Sequence, residues 1–412
     1  MPRALVVADD LTGATDTALA FAKRGYETNV QVDFNRTPPE TTVLAVNTDS
    51  RYDDPEAARK RVHQVISESD APIVYKKVDS TLRGNVVPEI QGALDCGFDF
   101  GLVAPASPAL GRLTAGGYHL VDGRLLTDTE YVDDPNGPES AHLSTLIEGI
   151  DTTHLGIETV AAGSGAVRRA ITDAPSGTIF TCDTTHDRHL ESIARAADGI
   201  VDRALFVGSA GLAKHVSVLA EPDSEPNRIA TEGSALGIVG SVSEQSLKQL
   251  AALPNEWVIA LDPEVLLADP ELAGSEAGER AAERLVSGEN AVVTAAPDHT
   301  AIECTLAAGR EAGLDEETIR RRVARSLASA AKAGIEEAAG LFVTGGDVAM
   351  VVFDRLNVGW LSLSGEEIEA GVPVSTLQEG AADGTTVVTK AGGFGREATV
   401  INCLGYLGGD NE

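Results

Sequence analysis

The sequence predicts an α/β protein with two domains, each a mostly parallel β-sheet flanked by helices. Short apolar runs alternate with helical patterns along most of the chain, and this alternation restarts near residue 235. Such alternation is typical of parallel sheets, because each crossover helix covers one face of the sheet. With 412 residues, the chain also has the length of two domains of ordinary size.

The first domain is predicted over residues 1–222. Its opening apolar run, at residues 4–8, is followed by a polar turn and a helical pattern, which indicates strand, loop and helix. Further strands are predicted at residues 27–32, 42–46, 72–76, 100–104, 177–181 and 204–207. Helices are predicted at residues 14–23, 55–67, 87–94 and 190–197. Residues 105–118, rich in Pro and Gly, are predicted to form a loop.

The second domain is predicted over residues 234–412, after a linker at residues 223–233 that is rich in turn-forming residues. Strands are predicted at residues 235–239, 257–261, 340–343 and 386–389. Helices are predicted at residues 244–250 and 316–339, from residue 347 onward, and at residues 398–404.

The charge balance restricts the classes of partner. The chain has 32 Lys and Arg against 63 Asp and Glu, a net charge of −31. Such a surface repels phosphate backbones and anionic lipid, so we expect neither nucleic acid nor a membrane as a partner. Because the acidic residues are spread along the chain and Lys is scarce beside Arg, the composition suggests a halophilic protein whose self-repulsion is screened by salt. An ordinary acidic cytosolic enzyme is the alternative.

Cysteine usage and the N-terminus indicate the compartment. The four Cys are far apart and form no Cys-x-x-Cys pair, which argues against a zinc ribbon and against a disulfide scaffold. No signal-peptide pattern opens the chain, and no apolar run approaches the ~20 residues that cross a bilayer. We therefore expect a cytoplasmic protein.

Two adjacent carboxylates, Asp9 and Asp10, end the first predicted strand. In parallel sheets, ligands bind outside the carboxyl ends of the strands. A carboxylate at this place can accept a proton from a substrate hydroxyl or hold a magnesium ion. The alternative is that one Asp only caps the following helix.

A polar segment at residues 76–85 follows the strand predicted at 72–76 and contains two ammonium groups, a guanidinium, two hydroxyls and an amide. Arg83 has a fork that fits a carboxylate at two points. The segment therefore predicts an anion-binding loop, and the alternative is a solvated loop with internal ion pairs. Together with the residue that follows the strand at 42–46, the predicted substrate contacts are Lys77, Asp79, Ser80, Arg83, Asn85 and Arg51.

The second half contains three glycine- or serine-rich turns between a strand and the next segment, at residues 240–243, 345–347 and 390–395. Glycine at such turns lets main-chain N–H groups approach phosphates closely. Tight strand–helix packing is the alternative. Neither a P-loop motif nor a Gly-x-Gly-x-x-Gly after the first strand is present, so a dinucleotide-binding fold is disfavoured.

These motifs resemble a known family. Residues 9–16 (DDLTGATD), 77–85 (KVDSTLRGN) and 208–213 (GSAGLA) look like the N-terminal domain of the four-carbon acid sugar kinases, and residues 345–347 and 390–395 are similar to its nucleotide-binding C-terminal domain. The match covers nearly the whole chain in the same order. Val348 stands where the family often has Thr, and Ser107 and Leu110 lie in a loop that is usually bulkier and more polar.

The resemblance implies a phosphotransferase that acts on an alcohol group of a small sugar acid such as threonate, erythronate or 3-oxo-tetronate. It places the acid sugar on the N-terminal domain and ATP on the C-terminal domain. Mg²⁺ is expected to accompany the ATP phosphates without a dedicated protein cage, and a homo-oligomer is left open. The implied nucleotide contacts are Ser241, Ser243, Gly345, Gly346, Asp347, Gly392 and Gly393.

The mechanistic hypothesis assigns catalysis to three residues. Arg83 holds the substrate carboxylate, Asp10 accepts the proton of the attacking hydroxyl, and Asp9 orients that group or a cation. Which of the two Asp residues is the base stays open. Closure of the domains is expected to exclude water from the reaction. Two other functions remain as alternatives, a non-catalytic sugar-acid sensor and a nucleotide-dependent oxidoreductase.

Overall fold

The computed structural model describes residues 1–33, 36–37, 39–200, 203–218, 220–222 and 232–409. The fold is α/β, and it divides into two compact units, Met1–Glu225 and Pro226–Glu412. The predicted class, α/β with a mostly parallel sheet in each half, is confirmed. Most of the predicted linker, residues 223–231, lies outside the described residues, so the linker and the domain bounds stay predictions.

The first unit contains a parallel sheet and a small antiparallel sheet. Its strands, in chain order, are β1 (Ala4–Ala8), β2 (Thr28–Gln31), β3 (Val43–Asn47), β4 (Ile73–Lys77), β5 (Phe100–Ala104), β6 (Arg112–Ala115), β7 (Tyr118–Val121), β8 (Arg124–Leu125), β9 (Thr152–Leu155), β10 (Thr178–Cys182) and β11 (Ala204–Gly208). The parallel sheet has the order β2-β3-β1-β4-β11-β5-β10-β9.

Helices connect these strands. They are α1 (Leu11–Ala22), α2 (Pro55–Ser67), α3 (Val86–Leu94), α4 (Leu143–Leu146), α5 (Ile157–Ala161), α6 (Ser164–Asp173), α7 (Asp187–Ala196) and α8 (Ala210–Ala213). Asp54 and Pro55 start α2, because the Asp54 carboxylate accepts N–H groups of the first turn and Pro fits the first helical position. All five residues of β1 are buried, as expected for a strand covered on both faces.

The segment predicted as a loop at residues 105–118 is partly a β-sheet, so that prediction is wrong in part. Strands β6, β7 and β8 form an antiparallel meander. The strands are only two to four residues long, and their turns contain Gly116, Gly117 and Gly123 with positive φ. Strands so short give almost no alternating pattern, which explains why the glycine signal dominated the prediction.

The second unit has its own sheet, with strands β12 (Ala235–Val239), β13 (Val258–Ala260), β14 (Ala291–Thr294), β15 (Gly340–Thr344), β16 (Trp360–Glu367), β17 (Pro373–Gln378) and β18 (Thr386–Lys390). The order is β13-β14-β12-β15-β18-β17-β16. The first five strands are parallel. β16 and β17 form an antiparallel hairpin that the sequence analysis did not predict.

The helices of the second unit are α9 (Glu244–Ala251), α10 (Pro263–Ala268), α11 (Pro270–Val286), α12 (His299–Glu311), α13 (Glu316–Gly334), α14 (Gly346–Leu356) and α15 (Thr399–Gly408). Helices α10 to α12 were not predicted. Gly274 and Gly278 of α11 lie against the main chain of α13, where a Cβ would come within 2.1 Å and 2.5 Å of the Ser326 and Ala330 carbonyl oxygens. These glycines therefore let the two helices touch backbone to backbone.

Helices α2 and α3 make a similar close contact in the first unit. A Cβ at Gly92 would lie 2.3 Å from the carbonyl oxygen of Arg59 and 3.1 Å from its carbonyl carbon. Because main-chain atoms cannot turn aside as a side chain can, the two helices must separate to admit even one methyl group. The α2–α3 pair covers the sheet beside β1 and β4 and brings side chains of α3 to the ends of these strands.

We predict that Gly92→Ala destabilises the first unit by ~1–3 kcal/mol, because overpacking forces the helices apart. Gly165→Ala is the matched control, because a Cβ at this exposed helical position would meet no atom nearer than 4.0 Å. Alanine has the higher helix propensity, so the free energy of unfolding should stay equal or rise slightly. Urea unfolding followed by circular dichroism measures both. Tryptophan fluorescence would miss the change, since both Trp residues, 257 and 360, lie in the second unit. Equal stability of the two variants would contradict the packing argument.

Candidate active site

The polar loops of the first unit meet at the carboxyl ends of three neighbouring strands. β1 pairs with both β3 and β4 in parallel, so the residues that follow these strands share one edge of the sheet. Asp9 and Asp10 follow β1, Arg51 follows β3, and Lys77 is the last residue of β4. The sequence analysis placed its candidate catalytic and substrate residues on these same loops.

The Arg51 guanidinium joins the two aspartates. Its Nε donates to Asp9 Oδ2 at 2.7 Å and its Nη2 to Asp9 Oδ1 at 3.1 Å, a two-point contact. The same Nη2 lies 2.9 Å from Asp10 Oδ1. Asp9 is almost fully buried, whereas the Asp10 side chain is about a quarter exposed. One cation thus pairs with two neighbouring carboxylates and offsets one of their two negative charges. Asp10 Oδ1 also accepts the Gly13 N–H at 2.9 Å and so caps α1. Of the two carboxyls, only the partly exposed Asp10 remains open to a ligand.

The two carboxyls are shifted in opposite directions. Burial raises the pKa of Asp9, but the charges of Arg51, Lys76 and Lys77 outweigh burial and hold that pKa below its ordinary value. Burial also raises the pKa of Asp10, and the negative charge of Asp9 adds to the rise, so the net shift is upward despite Arg51. A pair of carboxyls whose pKa values are pushed apart is typical of a site with a proton acceptor and a permanent charge.

Lys77 brings a cation to the same place. It is 6% exposed, and within the part of the chain that the structure describes its ammonium forms no hydrogen bond and no ion pair. A Cβ at Gly13 would lie 2.4 Å from Asp10 Oδ1 and 2.8 Å from Lys77 Nζ. Glycine at position 13 is therefore required by the close approach of both groups. A nearly buried ammonium without a partner calls for an anionic ligand.

The Arg83 side chain is held in its orientation by Asp79 and Tyr131. Its Nε donates to Asp79 Oδ2 at 2.7 Å, and its guanidinium lies 5.3 Å from the centre of the Tyr131 ring. Burial raises the pKa of Asp79, but Arg83 outweighs burial and lowers it strongly. The terminal nitrogens donate no hydrogen bond to any described residue, and Nη1 lies 3.7 Å from Asp134. These nitrogens remain available to a carboxylate.

Three predicted substrate contacts form hydrogen bonds or ion pairs inside the protein. The Asn85 amide donates to the carbonyls of Ser50 and Asp53, at 2.8 and 2.9 Å. Asp79 binds Arg83 and Thr81, and Arg51 binds the two aspartates. Side-chain groups bonded in this way hold the loops in place, and the substrate contacts of these three residues stay predictions. Lys77, Arg83 and Ser80 keep their predicted place as candidate ligands.

The second unit brings its three turns together at the ends of neighbouring strands β12, β15 and β18. A Cβ at Gly392 would lie 2.2 Å from Ser241 Oγ, and one at Gly345 would lie 3.3 Å from the Ser241 nitrogen. Ser243 Oγ donates to the Gly392 carbonyl at 2.8 Å. Gly346 and Asp347 start α14, Asp347 is exposed, and Gly393 has open space around it. All seven predicted nucleotide contacts therefore lie on these three turns.

Both halves of the chain are similar to known protein domains. Residues 4–216 match a sugar-binding N-terminal domain, and residues 236–400 match a nucleotide-binding C-terminal domain. The chain is 30% identical to a D-threonate kinase of Salmonella typhimurium, with 98% of each chain covered. It is 34% identical to a D-threonate kinase of Bordetella bronchiseptica, with 96% of this chain and 95% of the relative covered.

The chain belongs to the four-carbon acid sugar kinase family. A D-erythronate kinase of Heliobacterium modesticaldum is also 31% identical, over 99% of this chain and 97% of the relative. The chain is thus a carbohydrate kinase, and the sensor and oxidoreductase alternatives are set aside. The fold is shared with a solved protein of Salmonella typhimurium described as a tRNA synthase, with a TM-score of 0.82, 23% identity and 98% coverage of both chains. This likeness shows the fold alone.

The described residues lack two kinds of feature. They contain no helix that is long and apolar enough to cross a lipid bilayer. They also contain no group of three or more His, Cys, Asp or Glu side chains able to hold a metal ion.

The sequence analysis missed a buried ion pair under the site. Lys76 Nζ lies 2.9 Å from Glu89 Oε2, and both side chains are buried. Ser50 Oγ donates to Glu89 Oε1 at 2.5 Å, which ties helix α3 to the loop that carries Arg51. One signal could have revealed Glu89: it lies in the buried stripe Val86, Glu89, Ile90 and Ala93 of α3, where an apolar residue is expected.

We predict that Glu89→Ala destabilises the protein by ~3–5 kcal/mol, since it leaves Lys76 buried without its partner. The double variant Lys76→Met with Glu89→Leu should recover most of that loss, because neither charge of this ion pair then stays buried. Denaturant unfolding followed by circular dichroism measures both variants. The exposed pair Glu56–Lys60 gives the control: Glu56→Ala should have little effect. If Glu89→Ala behaved like Glu56→Ala, the buried pair would have no structural role.

Proposed function

We propose that the chain transfers the terminal phosphoryl group of ATP to a hydroxyl of a four-carbon sugar acid such as threonate, erythronate or 3-oxo-tetronate. Relatives that carry these substrates in their names match nearly the whole chain. The acid sugar binds to the first unit and ATP to the second, in agreement with the descriptions of the two matching domains. The acceptor within this class is left to experiment.

The observation that carries the proposal is the pair of differently shifted carboxyls at the end of β1. Asp10 is partly exposed and has a raised pKa, so it can accept a proton from a hydroxyl at neutral pH with more driving force than an ordinary Asp. Asp9 is buried, bound at two points by Arg51 and has a lowered pKa. Asp10 is therefore the general base, and Asp9 keeps Arg51 in place.

Two cations receive the substrate carboxylate. Lys77 has no partner among the described residues, and the terminal nitrogens of Arg83 form no hydrogen bonds there. A guanidinium that is fixed by Asp79 and Tyr131 is pre-oriented for a planar anion. A sugar acid held by these cations is oriented before reaction, which lowers the entropic part of the barrier.

The residues at the turns of the second unit fit a polyphosphate. Gly345 and Gly392 pack so closely against Ser241 that a Cβ would crowd it, and Gly393 has open space where its Cβ would lie. Glycine N–H groups at the ends of parallel strands are suitable donors to phosphate oxygens. Mg²⁺, bound to the phosphates of ATP, would offset their charge during transfer. We also propose that the net charge of −31 makes activity depend on high salt.

An ADP-release assay against four- to six-carbon sugar acids, at low and at molar salt, tests this function. We expect turnover with four-carbon acids and a loss of ~10²–10⁴-fold in kcat for Asp10→Asn, the range that general base catalysis provides. ATP binding, measured by calorimetry, should not change. The raised pKa of Asp10 also predicts that kcat/KM falls in acid at a higher pH than the ~3.9 of an ordinary Asp.

The matched control is Asp70→Asn, which changes an exposed Asp outside the site and should keep wild-type turnover. Full activity of Asp10→Asn would remove Asp10 from the mechanism. If wild-type protein released no ADP with any acid of the panel, the proposed function itself would fail.

We predict that Lys77→Met raises KM for the sugar acid by ~10–100-fold, because a charge-assisted contact is lost. KM for ATP should change little, since Lys77 lies in the sugar-binding domain. Lys60→Met is the control, as Lys60 is exposed on α2 and pairs with the exposed Glu56. An unchanged KM for the acid, or an equal rise in both KM values, would argue against a substrate contact. Initial-rate kinetics with each substrate varied decide this.

A further inference from the structure

A buried lysine ends strand β18. Lys390 is 3% exposed, and its Nζ donates to the main-chain carbonyls of Ala391, Gly392 and Phe394, at 2.9, 3.0 and 3.2 Å. These acceptors belong to the segment that directly follows, which we call the glycine loop (residues 391–396). All three protons of the ammonium group are thus used by one short piece of main chain.

This ammonium group has no carboxylate beside it. Within the described part of the chain, no Asp or Glu oxygen lies within 4.0 Å of Lys390 Nζ. Burial lowers the pKa of Lys390 to about 8, although Cys403 and Glu369, the titratable groups that influence it, act in the opposite direction. A buried charge that is balanced only by carbonyl dipoles is costly, so a purely structural role would be served better by a neutral donor.

Helix α9 and its N-cap residue Ser243 donate to two of these carbonyl groups, those of Gly392 and Phe394, and also to that of Arg396. Ser243 Oγ and Ser246 Oγ donate to the Gly392 carbonyl at 2.8 and 2.9 Å. Gln249 Nε2 donates to the carbonyls of Phe394 and Arg396 at 3.1 and 2.8 Å. The carbonyls of the glycine loop therefore point inward, toward Lys390 and α9.

The direction of these carbonyls fixes the direction of the amides. In a planar trans peptide the C=O of one residue and the N–H of the next point in opposite directions, and the described chain contains no cis peptide. Inward carbonyls at 391, 392 and 394 turn the N–H groups of Gly392, Gly393 and Gly395 away from Lys390. In the part of the chain that the structure describes, these three N–H groups donate no hydrogen bond.

We propose that Lys390 is a positioning residue that shapes the glycine loop into an anion-binding surface for the polyphosphate of a nucleotide. Its ammonium group fixes the carbonyls inward and adds a positive charge behind the loop, and the glycine amides face the phosphates. This inference rests on the proposed function and extends it to the way the nucleotide is held. Lys390 does not touch the phosphates itself, because its protons are already used.

Calorimetry of the full chain with inorganic tripolyphosphate tests the proposal without a sugar acid or a nucleobase. We expect Lys390→Met to bind tripolyphosphate ~10- to 100-fold more weakly, the loss typical of hydrogen bonds to a charged group. In steady-state kinetics the same variant should raise KM for ATP and leave KM for the sugar acid unchanged. Lys332→Met, at an exposed position of the same unit, is the control.

The pH dependence gives a readout that a merely structural role would not move. A lysine with a pKa of about 8 is charged below that pH, so wild-type affinity for tripolyphosphate should fall as pH rises through this value. Lys390→Met should lack this step, and because the probe ionises equally in both titrations, the difference belongs to Lys390. Should Lys390→Met not fold, Ser246→Ala removes one of the three donors to Gly392 and should weaken binding more mildly.

The outcomes separate the two proposals. If wild-type protein neither binds tripolyphosphate nor releases ADP, the proposed function fails. Two results with an active wild-type protein would overturn the positioning role of Lys390. A folded Lys390→Met variant could bind tripolyphosphate as tightly as wild type, or its KM for the sugar acid could rise as much as its KM for ATP.

Discussion

One guanidinium between two adjacent carboxylates is the contact on which the first unit depends. Without Arg51, Asp9 and Asp10 would repel each other at a buried strand end; at an effective dielectric constant of ~20, unit charges ~4 Å apart interact by ~4 kcal/mol. Arg51 binds both, and its loop is held by Asn85 and by the carboxylate of Glu89 through Ser50. Gly84 packs against Arg51 and Asp9, where a Cβ would lie within 3.0 and 3.2 Å of their side chains. The paired charges of the site therefore depend on several loops, since no single strand end supplies all of their partners.

The order of the strands makes this arrangement available. Because β1 lies between β3 and β4, one Asp pair can meet an arginine from one side and a lysine from the other. The second unit repeats the principle with β15 between β12 and β18, but there the turns present glycine main chain and no paired acids. One architecture thus supports two kinds of site, and the residues at the strand ends decide which kind forms.

Local patterns were enough to predict much of this, and tertiary contacts explain what they missed. The bounds of β1, β5, β12 and α2 agree with the prediction, since continuous apolar runs and a clear cap specify them. The β16–β17 hairpin and helices α10 to α12 were missed, because their packing decides their conformation more than their periodicity does. The sequence analysis found the two acids and the glycine turns because each of them directly follows a predicted strand. Partners of the neighbouring loops, such as Asp134 near Arg83 and Glu89 beside Ser50, lie far along the chain and became visible only in the fold.

Buried lysines explain how so acidic a chain can attract anions. With a net charge of −31, a cation on the surface would be surrounded by carboxylates and screened by salt, whereas buried charges are screened much less. Among the described residues, the buried lysines are Lys76, Lys77 and Lys390, and all three lie at the carboxyl end of a strand, β4 or β18. Lys76 contributes to the lowered pKa of Asp9, Lys77 forms no hydrogen bond or ion pair with a described residue, and Lys390 donates to the carbonyls of the glycine loop. Buried positive charge is thus concentrated at the two strand edges to which we assign the sugar acid and the nucleotide, and salt screens it less than it screens charges on the surface.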